Sequence, residues 1–311
     1  MSTAFLFPGQ GSQAVGMGRS LYEDEPAARA VFDEVDQALG EALSEVIFEG
    51  PEETLRLTEN AQPALMATSL AAARALEARS GRALAEQGAF VAGHSLGEYS
   101  ALAAAGALTI GDAAKLLRLR GRAMQTAVPV GDGAMAAILG LELDDVEAVA
   151  AEAAGDQVCD VANDNAPGQV VVSGHKEAVE RAVEIAKGKG AKRSLLLPVS
   201  APFHCRLMAP AADAVGAALK EITFQPPALP VVTNVSAAPE TDPEALKQAL
   251  IEQVTARVRW RESVLALAAS GVTELVELGS GKVLTGLAKR IDRELAAKAI
   301  GSPEDLDTYL A

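Results

Sequence analysis

Histidine and cysteine are scarce in this chain, with three and two copies among 311 residues. Two thiols, Cys159 and Cys205, build no disulfide framework, so the chain is expected in a reducing compartment, the cytoplasm. The histidines, His94, His175 and His204, are scattered and fall into no His/Cys/Asp spacing of a metal site, so neither a metal nor a prosthetic cofactor is expected. Basic residues are in the minority, 27 against 42 acidic ones, for a net charge of −15. Such a surface repels a phosphate backbone, and nucleic acid is not expected as a partner. Long apolar runs are missing too. The most apolar stretch, Ala101 to Ile110, is about half of what a bilayer span needs. The opening MSTAFLFPGQGSQ lacks a basic n-region and is broken by Pro8 and Gly9, so it does not read as a signal peptide. No low-complexity linker and no fixed-period repeat divides the chain.

What is present is a well-mixed globular composition, 49% hydrophobic and 22% charged. The length exceeds what one core usually supports, ~250 to 300 residues, so a large domain with a subdomain is expected. Short apolar runs alternate with Ala/Leu/Glu-rich stretches, the rhythm of an α/β protein with a mainly parallel sheet. Thr3–Phe7, Ala89–Ala92, Pro230–Val235 and Glu274–Leu278 read as its strands, Pro26–Gly40 and Pro63–Ser80 as helices. Between Gly131 and Pro198 the order becomes strand (Ala134–Leu139), helix (Leu143–Ala154), strand (Val158–Ala162), strand (Gln169–Ser173), helix (Lys176–Gly188), strand (Arg193–Leu197). That βαββαβ order is ferredoxin-like. It predicts an inserted subdomain at 131–198 and a catalytic core made of 1–130 and 199–311.

Gly93-His94-Ser95-Leu96-Gly97 is a GxSxG sequence between a predicted strand and a predicted helix, the setting of a nucleophile elbow on an α/β-hydrolase-like core. There Ser95 is presented at the top of the sheet, and the Leu96 N–H points at the oxyanion formed when Ser95 attacks a carbonyl. The plain alternative is a glycine-rich turn with a capping serine. A serine needs a base. His94 is the sequence neighbour of Ser95 and should point elsewhere, and His175 starts a predicted helix. His204, in Ser200-Ala201-Pro202-Phe203-His204-Cys205, follows a proline-fixed turn and is the candidate, against the reading of a structural histidine. Arg120 lies on a predicted helix with Arg118 and Arg122, which by charge alone reads as a solvated face.

FPGQGSQ at Phe7–Gln13, GHSLGEYSAL at Gly93–Leu102, RGRAMQ at Arg120–Gln125, GAMAAILG at Gly133–Gly140, NAPGQVVVSG at Asn165–Gly174 and APFHCRLM at Ala201–Met208 together resemble the malonyl-CoA:acyl carrier protein transacylases. The likeness runs to VELGSGKVLTGL near the C-terminus. It implies a Ser95/His204 dyad with His204 oriented by a backbone carbonyl near Gln253, and a second oxyanion donor in the Gln10 N–H. It implies a paired contact of Arg120 with the malonate carboxylate, for which a guanidinium fork is suited. Phe203 resembles the aromatic associated with malonyl rather than branched substrates, against a reading as plain core; Met124 and Asn165, in the matched segments, are carried over as substrate contacts. The partners implied are malonyl-CoA and an acyl carrier protein, in fatty acid or polyketide synthesis. Gly279-Ser280-Gly281 departs from the family's more usual Gly-Pro-Gly, a difference that touches no proposed catalytic role.

Two other motifs fail. Gly9, Gly11 and Ala14 fit a dinucleotide fingerprint, but the acids about 20 residues on, Asp33 and Glu34, lie inside a predicted helix. Gly281-Lys282 would end a phosphate loop, but Val276 and Val283 stand where glycine and Ser/Thr are required. A serine hydrolase and a catalytically silent carrier-docking module remain as alternatives. Since the carrier is itself expected to be acidic, docking calls for a local basic patch: Lys289 and Arg290, aided by Lys187, Lys189 and Lys192.

Overall fold

The structure, a computed structural model, describes residues 2–311. Its strands are β1 (Thr3–Phe7), β2 (Phe90–Gly93), β3 (Gly133–Leu139), β4 (Cys159–Ala166), β5 (Gln169–His175), β6 (Arg193–Leu196), β7 (Val231–Val232), β8 (Pro239–Glu240), β9 (Glu274–Leu278) and β10 (Ala296–Ile300). They form two sheets. The first runs β10-β9-β1-β2-β7-β8, parallel except at the β7–β8 edge. Every residue of β1 (TAFLF) and of β9 (ELVEL) is buried, as strands of a parallel sheet covered on both faces must be. The second runs β4-β5-β3-β6, antiparallel throughout, which is the strand order of a ferredoxin-like unit. The fold class is therefore the α/β arrangement that the sequence predicts, with a mainly parallel sheet and a separate antiparallel one.

Helix packing sets up the site. The helices Thr58–Ser80 and Ile110–Thr126 cross at Gly121, where an added Cβ would lie 2.6 Å from Glu59 Cα. Only glycine permits backbones to meet so closely. The crossing brings Arg120 of one helix beside Gln62 of the other, and both side chains are buried. On the antiparallel sheet, Val146 and Val149 of one helix and Val179 and Val183 of another pack with Ile138, Val170 and Val172 in a core of their own.

Strand β4 also ties the antiparallel sheet to the segments around Val258 and Arg206. Asn163 forms a parallel bridge with Val258, whose N–H donates to Ala162 O at 2.8 Å, and Asp164 N–H donates to Val258 O at 3.0 Å. Arg261 Nε reaches Asp164 Oδ2 at 2.9 Å, and the Arg206 guanidinium and amide both reach Asp160.

Three elements differ from the sequence reading by three residues or more at one end, the others by two at most. The helix expected from Pro63 begins at Thr58, because Asn60 and Ala61 already donate to Leu57 O; Pro63 then sits inside the helix, where it forgoes one bond. Strand β4 extends past Ala162 to Ala166, with register shifts that accommodate the polar Asn163-Asp164-Asn165. The strand expected over Pro230–Val235 shrinks to Val231–Val232, since Asn234 N–H leaves the ladder for the Glu98 carboxylate at 2.8 Å.

Candidate active site

GHSLG forms the turn from β2 into the helix Gly97–Ala104. Ser95 sits at φ 53°, in the left-handed region that a non-glycine residue holds only under constraint. The constraint is visible. Ser95 N–H donates to Asn234 Oδ1 at 2.7 Å, while Asn234 Nδ2 donates to Gly93 O at 2.7 Å. A Cβ at Gly93 would fall 1.9 Å from the Gly97 carbonyl, and one at Gly97 would fall 2.1 Å from Phe7 O. Both glycines are therefore needed for the turn to seat against the end of β1.

Ser95 Oγ lies 2.7 Å from His204 Nε2, and His204 Nδ1 lies 2.8 Å from Gln253 O. A carbonyl only accepts, so Nδ1 carries the proton and Nε2 is free to accept from the serine hydroxyl. His204 is buried, at φ 57°. Burial first, and then the neighbouring Arg120 charge, depress its pKa to about 3, so the imidazole is neutral at physiological pH. The position on Nδ1 that a hydrolase triad gives to a carboxylate belongs here to the Gln253 carbonyl.

Arg120 is 1% exposed. Its Nη1 donates to Gln62 Oε1 at 2.7 Å, and Nη2 donates to Gln253 Oε1 at 2.9 Å and to Ser95 Oγ at 3.0 Å. The guanidinium lies 5.5 Å from the Tyr99 ring centroid. Burial lowers its pKa, but a guanidinium stays charged in proteins, so the site holds a desolvated cation beside the serine. The solvated basic face that charge alone predicts is not where Arg120 lies.

The remaining sequence-predicted residues divide. Leu96 is buried at the start of the helix Gly97–Ala104, and Gln10 is exposed in the loop after β1. That loop adjoins the elbow, for a Cβ on Gly9 would lie 2.7 Å from His94 O. Phe203 is buried next to His204, and buried Met124 approaches Gln62 Nε2 through Sδ at 3.8 Å. Asn165 stands apart, with Oδ1 held by His94 Nε2 at 2.8 Å. His94 does point away from the dyad, packing on Trp260 at 5.6 Å between centroids, and His175 accepts from Val158 N–H at 2.9 Å. Lys289 and Arg290 are exposed in the last turn of the helix Val283–Ile291, with Arg290 Nη1 on Gln169 Oε1 at 2.6 Å. Arg290 shares a cavity of about 400 Å³ with Lys192 and Arg193. Lys187 and Lys189 are instead paired with Glu184 and Glu152.

Sequence reasoning missed three residues. Gln62 and Asn234 hold Arg120 and Ser95, and Glu98 is fully buried with Oε2 accepting from Asn234 N–H and from Gln253 Nε2 at 2.9 Å. A lone acid in the Ala-rich run GEYSALAA was the available signal for Glu98, and a polar residue at the C-terminal end of a parallel strand was the signal for Asn234. Among the described residues no group of three or more His, Cys, Asp or Glu side chains could hold a metal, and no helix is long and apolar enough to cross a membrane.

Comparison with known proteins places this constellation. A family model described as an acyl transferase domain matches residues 4–297. The malonyl CoA-acyl carrier protein transacylase of Escherichia coli K12 is 49% identical over 99% of this chain and 98% of its own. The crystal structure of an acyl-carrier-protein S-malonyltransferase from Bartonella henselae superposes with a TM-score of 0.97 at 55% identity, covering 100% of this chain and 98% of that one. A malonyl-transacylase solved in complex with its type II PKS acyl-carrier protein matches with a TM-score of 0.96 at 45% identity, over 100% of this chain and 99% of that one. With its elbow, its serine–histidine pair and near-complete coverage of such relatives, the chain belongs to the acyl transferase domain family, among the malonyl-CoA:acyl carrier protein transacylases.

Proposed function

We propose that this enzyme transfers malonyl from malonyl-CoA to the phosphopantetheine thiol of an acyl carrier protein, through a malonyl-Ser95 intermediate, in fatty acid or polyketide synthesis. One observation carries the reading: the Ser95 hydroxyl is shared between His204 Nε2 and the buried Arg120 guanidinium. A base activates it, and a cation waits beside it for a substrate carboxylate.

In the first half-reaction His204 Nε2 accepts the Ser95 proton as Oγ attacks the thioester carbonyl. The N–H groups of Leu96 and Gln10 hold the oxyanion. The C–S bond then breaks, and the coenzyme A sulfur leaves as a thiol with the proton returned from His204. The carrier's thiol, deprotonated by His204, attacks malonyl-Ser95 and reverses the sequence, so the kinetics are ping-pong. Gln253 O keeps the imidazole in the working tautomer, while Arg120 pairs with the malonyl carboxylate and Phe203 and Met124 line the acyl site. Acyl exchange between thiol and hydroxyl is redox-neutral, and a thiolate is a good leaving group, so the dyad suffices without a metal or prosthetic group. Residues 1–130 with 199–311 form the catalytic core and 131–198 the subdomain; Lys289 and Arg290 are assigned to carrier docking. The free thiols Cys159 and Cys205 suit the cytoplasm; both are buried, and desolvation raises their pKa values to about 12 and about 11, which keeps them protonated and unreactive.

Mass spectrometry after brief mixing with malonyl-CoA tests this. A malonyl adduct on Ser95 that disappears in Ser95→Ala is expected; an adduct on Cys159, Cys205 or His204 refutes the nucleophile assignment.

A further inference from the structure

We propose that Glu98 is the proton-linked counterion of Arg120: ionised Glu98 balances the guanidinium in the free enzyme, and Glu98 takes up a proton when the malonyl carboxylate claims that guanidinium. This rests on the reading of Arg120 as the partner of the malonyl carboxylate.

The geometry is a relay through one amide. Gln253 Nε2 donates to Glu98 Oε2 at 2.9 Å while Gln253 Oε1 accepts from Arg120 Nη2 at 2.9 Å. Glu98 is 0% exposed and Arg120 1%, so each charge lies out of reach of bulk water. Glu98 Oε1 has no hydrogen-bond partner, which leaves an oxygen free to carry a proton. The titratable and charged groups around it are Tyr99 on its own helix, Arg120 on the helix Ile110–Thr126, and His204 on the loop that also faces Gln253. Tyr99 is pushed up to about 12 and His204 down to about 3, both by burial first, so neither changes charge near neutral pH. Glu98 does: burial raises its pKa to about 7 against the pull of its hydrogen bonds and Arg120.

The site thus holds one cation and one titrating acid. A malonyl carboxylate brings a second anion to the same guanidinium, and two buried anions cannot share one cation without penalty. Neutralising Glu98 restores the balance while Oε2 continues to accept from Asn234 and Gln253, so the serine elbow and the His204-orienting carbonyl keep their support. Glu98 is in this sense a positioning residue, acting through Gln253 and Asn234.

Forming malonyl-Ser95 from malonyl-CoA is proton-neutral: the serine O–H and the C–S bond break, an ester C–O bond forms, and the coenzyme A thiol receives the proton. Any net uptake therefore belongs to the enzyme. The experiment mixes enzyme with malonyl-CoA in weak buffer with a pH indicator, with the Ser95 adduct counted by mass in parallel. Uptake of up to about half a proton per adduct is expected at pH 7, falling away by pH 5, where Glu98 is already protonated. Glu98→Gln, which keeps an acceptor for Asn234 and Gln253, should form the adduct with no uptake. Adduct without uptake in the wild type, a measurement that needs no variant, overturns the inference and leaves the acyltransferase reading standing; undiminished uptake in Glu98→Gln overturns it as well. Absence of the Ser95 adduct in the wild type overturns both.

Discussion

Arg120 Nη2 lies 3.0 Å from Ser95 Oγ, on a hydroxyl whose own proton is directed at His204 Nε2. The nucleophile is thus fixed from two sides, by the base and by the residue proposed to select the substrate. On the proposed function, binding and chemistry share one atom.

Arg120 should therefore decide which acyl group is transferred. Removing the fork leaves a malonyl carboxylate buried without a partner, at roughly 2 to 5 kcal/mol in transition-state binding. Arg120→Ala should lose malonyl transfer by ~30-fold or more and gain acetyl transfer relative to malonyl, because acetyl no longer strands the guanidinium donors. Arg120→Lys should recover little, lacking the planar fork. Side-by-side rates with saturating carrier check this, and an equal loss for both acyl groups sinks the specificity role.

His204 should stay an active base well into acid. Its pKa is lowered, so the folded protein keeps the ring neutral down to about pH 3 while the unfolded chain takes a proton from about pH 6.5. Stability from this residue is complete above that upper value and is lost as pH falls toward the lower one. Acylation, followed by rapid quench, should hold its rate from pH 7 to pH 5, where an ordinary histidine would lose ~30-fold of its basic form. A decline tracking a pKa near 6.5 contradicts the geometry. His204→Ala should slow acylation by ~10³ or more.

The exposed pair at the end of the helix Val283–Ile291 should affect one substrate only. Charge reversal at Lys289 and Arg290 is expected to raise the Michaelis constant for the acyl carrier protein and leave that for malonyl-CoA in place, because distant surface charges steer an acidic partner more than they bind a small thioester. Equal shifts in both constants refute the docking role.

Gly93→Ala should be among the most damaging small substitutions. The added methyl would meet Gly97 backbone at 1.9 Å, and backbone cannot swing aside as a side chain can. A loss of about 3 kcal/mol or more is expected, read as a fall in the thermal midpoint together with loss of the Ser95 adduct. A variant that melts with the wild type would show that the elbow is looser than its contacts imply.

The parts legible in the sequence were those encoded locally. GHSLG carries its own strand, turn and helix, and βαββαβ is a spacing pattern, so Ser95 and the second sheet could be read from short windows. Asn234, Gln62 and Glu98 could not, for their roles exist only across 139, 58 and 136 positions of chain, as Ser95 N–H, Arg120 Nη1 and Asn234 N–H find them. Arg120 shows the limit from the other side: its neighbours Arg118 and Arg122 make the helix look like a charged surface, and only the glycine at 121 lets that face press against the helix Thr58–Ser80 and bury the guanidinium. Asn165 was assigned to substrate on a matched motif, whereas its amide oxygen is engaged by His94.

Strand β4 works as a splint across the two chain segments that shape the base. Asp160 grips Arg206, two residues beyond His204, and Asn163 and Asp164 grip Val258, five beyond Gln253. A rigid tilt of the antiparallel sheet would pull on both ends of the His204–Gln253 bond together, carrying the imidazole and its carbonyl as a pair. What such a tilt preserves is the His204–Gln253 bond, and with it the tautomer of the imidazole, whereas the Ser95–His204 contact, with Ser95 anchored to the larger sheet, is the one that registers the two lobes against each other.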